Sequence, residues 1–160
     1  MPIEFSPAQK RRLLQVALWS LAATSALTGA PAAFAPQTFY DSFPAGLSFV
    51  SKLPPYNEHL ITDVGGFYLA FTFLFVWCAL IPRRAAIVPI ALAWIGVQTL
   101  HTGYHMFHLE NFNAAEATGQ TVLFAVFLVL PCLVLALRAV AEAGAPAPRT
   151  AAVRRRSPSR

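Results

Sequence analysis

The sequence predicts an all-α polytopic membrane protein, an up-down bundle of four transmembrane helices with both termini in the cytoplasm. Three observations carry that expectation. The chain is 56% hydrophobic and 12% charged over 160 residues, with a positive mean hydropathy, which is too apolar for a soluble domain of this size. Four stretches, 13–34, 60–81, 85–109 and 121–140, are each long enough to cross about 30 Å of hydrocarbon at about 1.5 Å per residue. The basic residues are also segregated: Lys10, Arg11 and Arg12 precede the first stretch, Arg83 and Arg84 join the second to the third, and Arg138, Arg149, Arg154, Arg155, Arg156 and Arg160 close the chain. The remaining two loops hold Lys52 as their sole base, against Asp41, Glu58, Glu110 and Glu116. By the positive-inside rule this assigns the termini to the cytoplasm of a multi-pass protein in the cell (plasma) membrane.

Taken in order, residues 1–12 form a short cytoplasmic N-terminus. The apolar run that follows ends in Ala33-Phe34-Ala35 and so also resembles a secretory signal with its cleavage site. The run is longer than a signal core, and Pro36 would hinder the extended backbone that a peptidase needs, so a retained first helix is expected. Cleavage would leave three spans in the same orientation. The first span is rich in Ala, Ser, Thr and Gly, which suits close helix contact in lipid. The loop from Pro36 to Tyr56 carries Phe39, Tyr40, Phe43, Leu47 and Phe49, a composition for a segment at the membrane interface or a lid. Asn57 then caps the second span, with Glu58 in its first turn. The Pro82-Arg83-Arg84 turn makes the second and third spans an antiparallel hairpin. Pro131 should kink the fourth. Cys78 and Cys132 lie inside spans as packing residues, and residues 141–160 read as a disordered basic tail able to touch anionic lipid. The pI near 9.8 does not indicate nucleic acid, because no aromatic residues interleave with the arginines.

The chemistry concentrates in the histidines. In HTGYHMFHLE, residues 101–110, His101, His105 and His108 are spaced by four and three residues, which places them on one helix face. His59 and Asp63 share a face of the second span in the same way. Counted from the turn, Asp63 lies 20 residues before Arg83 and His105 lies 21 after Arg84, so the two stripes are expected at one depth and facing each other. Ionisable groups in a span are costly and should pair or serve a function. Imidazoles with a carboxylate suit a transition metal, Zn, Fe or Cu, held by His59, Asp63, His101, His105 and His108; haem fits less well, since it needs axial ligands across a gap. In a hydrolytic version Asp63 or Glu58 would act as general base toward metal-bound water. The same residues also suit a proton-handling or substrate-binding polar pocket. A third reading is a structural cluster fixing the hairpin of a non-enzymatic accessory subunit, which binds a membrane-protein partner or forms a homo-oligomer. Tyr104 falls off the histidine stripe by spacing and reads as packing, as do Trp19, Trp77 and Trp94.

Two segments, PPYNEHLITDVGGFYLA at 54–70 and HTGYHMFHLENF at 101–112, resemble a group of small uncharacterised four-span integral membrane proteins common in actinobacteria, with the patterns YNEHLxxDVG and HxxYHxxHL. These are loosely similar to DoxX-like four-helix proteins. The resemblance covers about residues 38–138 and picks out Asn57, Glu58, His59, Asp63, Gly65, His101, Tyr104, His105, His108 and Leu109. Leu100 stands where similar proteins often carry Pro. The resemblance implies a four-helix membrane fold and brings no reaction with it.

Overall fold

The structure, a computed structural model, describes residues 5–53 and 55–140. The basic segment 141–160, expected to be a disordered tail, lies outside them. The described residues form helices α1 (Pro7–Phe34), α2 (Pro36–Ser42), α3 (Glu58–Leu80), α4 (Arg84–Met106) and α5 (Ala114–Leu137), with 3-10 turns at Val50–Lys52, Leu109–Asn111 and Arg138–Val140. No strand occurs among them. Helices α1, α3 and α4, and α5 continued to Val140, are long and apolar enough to span a membrane. The protein is therefore an all-helical four-span bundle.

Caps decide where the helices begin, and two of them start well before the apolar runs. Ser6 accepts from Gln9 N–H while the Gln9 side chain accepts from Ser6 N–H, with Pro7 at the first helical position. Asn113 and Glu116 repeat that reciprocal box at α5, which starts at Ala114 and not near 121. Asn57 caps α3 as its sequence predicts, its Oδ1 accepting from Leu60 N–H at 3.1 Å. At the other end α4 stops at Met106, short of 109.

Each spanning helix turns a narrow stripe inward. On α4 it is Ile87, Ala91, Trp94 and Gln98, continued by His101 and His105; on α5 it is Gln120, Phe124, Pro131 and Val134. The alternating steps of four and three residues are those of a helical-bundle seam. Helix α1 makes its most extensive contact with α3 and also packs on α5, while α4 packs mainly on α5. The α3–α4 hairpin, though joined by a three-residue turn, has far less backbone contact than either of those pairs.

Glycine explains that asymmetry. Gly29 and Gly65 bring α1 and α3 together so closely that a Cβ on Gly65 would lie 2.3 Å from the Ala33 nitrogen. Small residues at a lipid-embedded interface allow such an approach. Drawn onto α1 at this end, α3 leaves a gap toward α4. Toward the arginine end Trp94, 1% exposed, fills the gap, its ring 5.4, 5.0 and 5.3 Å from those of Tyr68, Phe71 and Phe75. Above this aromatic floor the seam stays open.

Candidate functional site

The open seam is a cavity of about 340 Å³. Its walls are α3, α4 and α5, with Thr28 of α1 behind, and its roof is the segment between α1 and α3, through Phe39, Phe43, Phe49 and Leu53 among others. The aromatic loop predicted to lie at the interface or act as a lid thus covers a cavity. Lys52 fastens it: the Lys52 Nζ donates to both Glu116 carboxylate oxygens at 2.6 Å and lies 5.8 and 5.6 Å from the Phe49 and Phe112 ring centroids. The sole base of the two acidic loops thereby ties the roof to the first turn of α5.

The lining is mainly apolar; Thr28, Asn57 and the hydroxyls of Tyr40, Tyr68 and Tyr104 are scattered around it, and its remaining polar side chains, His101, His105 and Gln120, gather in one corner. His101 and His105 stand one turn apart on α4 with ring centroids 4.7 Å apart, and both rest on Phe124, at 5.3 and 4.6 Å. His105 Nδ1 meets Gln120 Oε1 at 3.2 Å. With the amide placed this way its oxygen accepts, so Nδ1 carries the proton and the His105 Nε2 lone pair is left free; an amide turned over reverses both roles. Gln120 is 2% exposed, and its amide nitrogen has no hydrogen-bond partner among the described residues. Below the corner, Tyr68 Oη donates to Gln98 Oε1 at 3.2 Å, so a second glutamine continues the polar line into the core.

The other sequence-predicted residues lie elsewhere. His59 and Asp63 pair with each other at 3.4 Å, one turn apart on α3, with side chains 88% and 52% exposed. On α3 the cavity is lined by Leu60, Ile61, Val64 and Tyr68, with the capping Asn57 before them. At about 100° per residue, His59 and Asp63 stand roughly 115° to 155° around the helix from the centre of that face. The predicted meeting of Asp63 with His105, and of His59 with His108, is therefore not what forms. Depth counted from a turn does not set the rotation of a helix about its axis. Glu58 is exposed in the first turn of α3, outside the cavity.

His108 departs for a different reason. Helix α4 ends at Met106 in a tightened turn, in which the N–H groups of Phe107 and His108 bond to Tyr104 and His105 carbonyls three residues back. His108 thus falls off the stripe, stacks on Tyr104 at 4.1 Å and bonds through Nδ1 to the Tyr104 carbonyl at 2.7 Å. Tyr104, expected to pack away from the site, lies at the cavity edge and is 42% exposed. Among the described residues, no hydrogen bond or ion pair joins the two stripes, and no three His, Cys, Asp or Glu side chains are placed to hold one metal ion.

Gln120 is a buried cavity-lining residue that the expected fourth span, 121–140, leaves out by one position. Its signal was the Asn113–Glu116 box, which starts the helix early enough to place Gln120 on the inward stripe with Phe124.

Fold and site together define a multi-pass α-helical membrane protein with an internal, mainly apolar cavity at its histidine end. No protein family, curated protein or solved structure gives a match to the chain.

Proposed function

We propose that the protein binds a lipophilic small molecule within the bilayer, in the cavity between α3, α4 and α5, with His101, His105 and Gln120 engaging its polar end. The observation that carries this reading is the combination of a mainly apolar cavity of about 340 Å³ with a polar corner made of two half-buried histidines and the buried Gln120. Small-molecule sites have that form, with apolar walls for affinity and a few fixed polar groups for orientation. The charge pattern supports an orientation in which the cavity opens to the outer half of the plasma membrane and the termini are cytoplasmic.

Native mass spectrometry of protein released gently from membranes tests the reading. The parent should carry a stoichiometric lipophile, and Val64→Trp, which fills the cavity from α3, should lose it while remaining inserted. A parent that emerges bare under every release condition would overturn the proposal.

A second reading is a transition-metal centre, zinc, iron or copper. What favours it is the adjacent imidazole pair; with the Gln120 amide as placed, the His105 Nε2 is free to ligate, the usual arrangement for a metal-binding histidine. Donors beyond these two would have to come from water or the bound molecule. Less than a tenth of an equivalent of metal in tag-free, chelator-free protein, taking stoichiometric occupancy as the expectation, would remove it.

A further inference from the structure

Resting on the reading of the cavity as a lipophile site, we infer that its ligand is an uncharged lipid alcohol, whose hydroxyl bridges His105 and Gln120. Two properties of the polar corner select that head group.

The first is its hydrogen-bonding balance. The His105–Gln120 contact at 3.2 Å uses one donor and one acceptor. A neutral imidazole and a primary amide bonded once to each other leave one ring nitrogen and the other amide atom free. As placed, these are the His105 Nε2 lone pair and the Gln120 Nε2 donor, the latter without a partner among the described residues. Exchanging the amide oxygen and nitrogen swaps the roles, giving an Nε2–H donor and an amide oxygen acceptor. Either way the corner offers one of each. A hydroxyl answers both, donating from its O–H and accepting at its lone pairs. An ether or ester accepts only, so it leaves one group of the corner unpaired, and a hydrocarbon satisfies neither. One unpaired buried group weakens binding by about tenfold or more.

The second property is charge. The cavity lining contains no Lys, Arg, Asp or Glu. The nearby Lys52 is occupied, since its Nζ holds both oxygens of Glu116 at 2.6 Å. A carboxylate or phosphate head would enter the low-dielectric corner with no counter-ion, a burial that is expensive without pairing. The selection is therefore for an alcohol over a fatty acid or a phospholipid.

The test uses the full chain in phosphatidylcholine nanodiscs, photolabelled with a diazirine-bearing hexadecanol, the labelled peptides being located by mass spectrometry. Unlabelled hexadecanol, its methyl ether, hexadecane and palmitate compete. Hexadecanol should displace the label from cavity residues about tenfold more effectively than the ether or the alkane, and Gln120→Leu should reduce that advantage to within about twofold while apolar binding persists. Equal displacement by all neutral competitors would overturn the head-group assignment and leave the lipophile cavity standing, and so would preference for palmitate. Labelling restricted to the outer faces of the helices, with none on cavity residues, would overturn the cavity reading itself. If Gln120→Leu does not insert, His105→Phe replaces it, and the parent's competition order decides the assignment without either variant.

Discussion

Two adjacent glycines on α3 should respond to the same substitution with opposite signs. A Cβ at Gly65 would stand 2.3 Å from the Ala33 nitrogen, 2.7 Å from its Cα and 2.8 Å from the Ala32 carbonyl carbon. These are backbone atoms of α1, so no rotamer change relieves the clash. Ordinary contact begins near 3.4 Å, and the helices must part by roughly 1 Å. That separation loosens the α1–α3 interface, the most extensive in the bundle, and places Gly65→Ala at the upper end of overpacking costs, about 3 kcal/mol. At Gly66 a Cβ would meet nothing within 4 Å, and alanine is the better helix former by about 1 kcal/mol, so Gly66→Ala should be neutral or slightly stabilising. The assay is reversible unfolding in mixed micelles titrated with SDS, followed by helical circular dichroism. A retreat of α3 from α1 toward the open seam should also narrow that seam, so Gly65→Ala should lower occupancy by a bound lipophile. A Gly65→Ala protein as stable as the parent, or a Gly66→Ala protein as damaged as Gly65→Ala, would refute glycine-mediated close approach as the cause of the open seam.

The exposed pair on α3 should be dispensable: His59→Ala and Asp63→Asn should each change stability by less than about 1 kcal/mol and leave cavity occupancy unchanged, and loss of ligand in either variant would return them to the site. The roof should loosen when its tie is cut. Lys52→Met removes a partly exposed ion pair with contacts of 2.6 Å, should lower stability only slightly, and should speed exchange of a bound lipophile between nanodiscs. Unchanged exchange would mean that the roof is held by its aromatic contacts alone.

Much of this architecture was legible in the sequence because bilayer insertion reads local properties. Apolar length set the number of spans, the Pro82-Arg83-Arg84 turn set the hairpin, and Asn57 marked the start of α3, all from residues near one another in the chain. His101 and His105 were recognisable as a shared face for the same reason, since helical periodicity relates residues four apart wherever the helix sits. The ends of α4 and α5 were less legible, because capping interactions rather than hydropathy close a helix; His108 was lost from the stripe and Gln120 gained for it on that account.

Tertiary structure alone decided which helix faces met. Periodicity defines a stripe but does not name its partner, and depth along the membrane normal leaves rotation about the helix axis free. The sequence therefore placed Asp63 level with His105 without being able to say that α3 turns Val64 and Tyr68 to the cavity and His59 and Asp63 away from it. That rotation follows from a contact between residues 32 positions apart, the fit of Gly65 against the Ala33 backbone, which draws α3 onto α1. The space left behind, between helices that the chain joins by only three residues, is the cavity, and its polar corner pairs a histidine from one helix with a glutamine from another because only packing brings those two faces together.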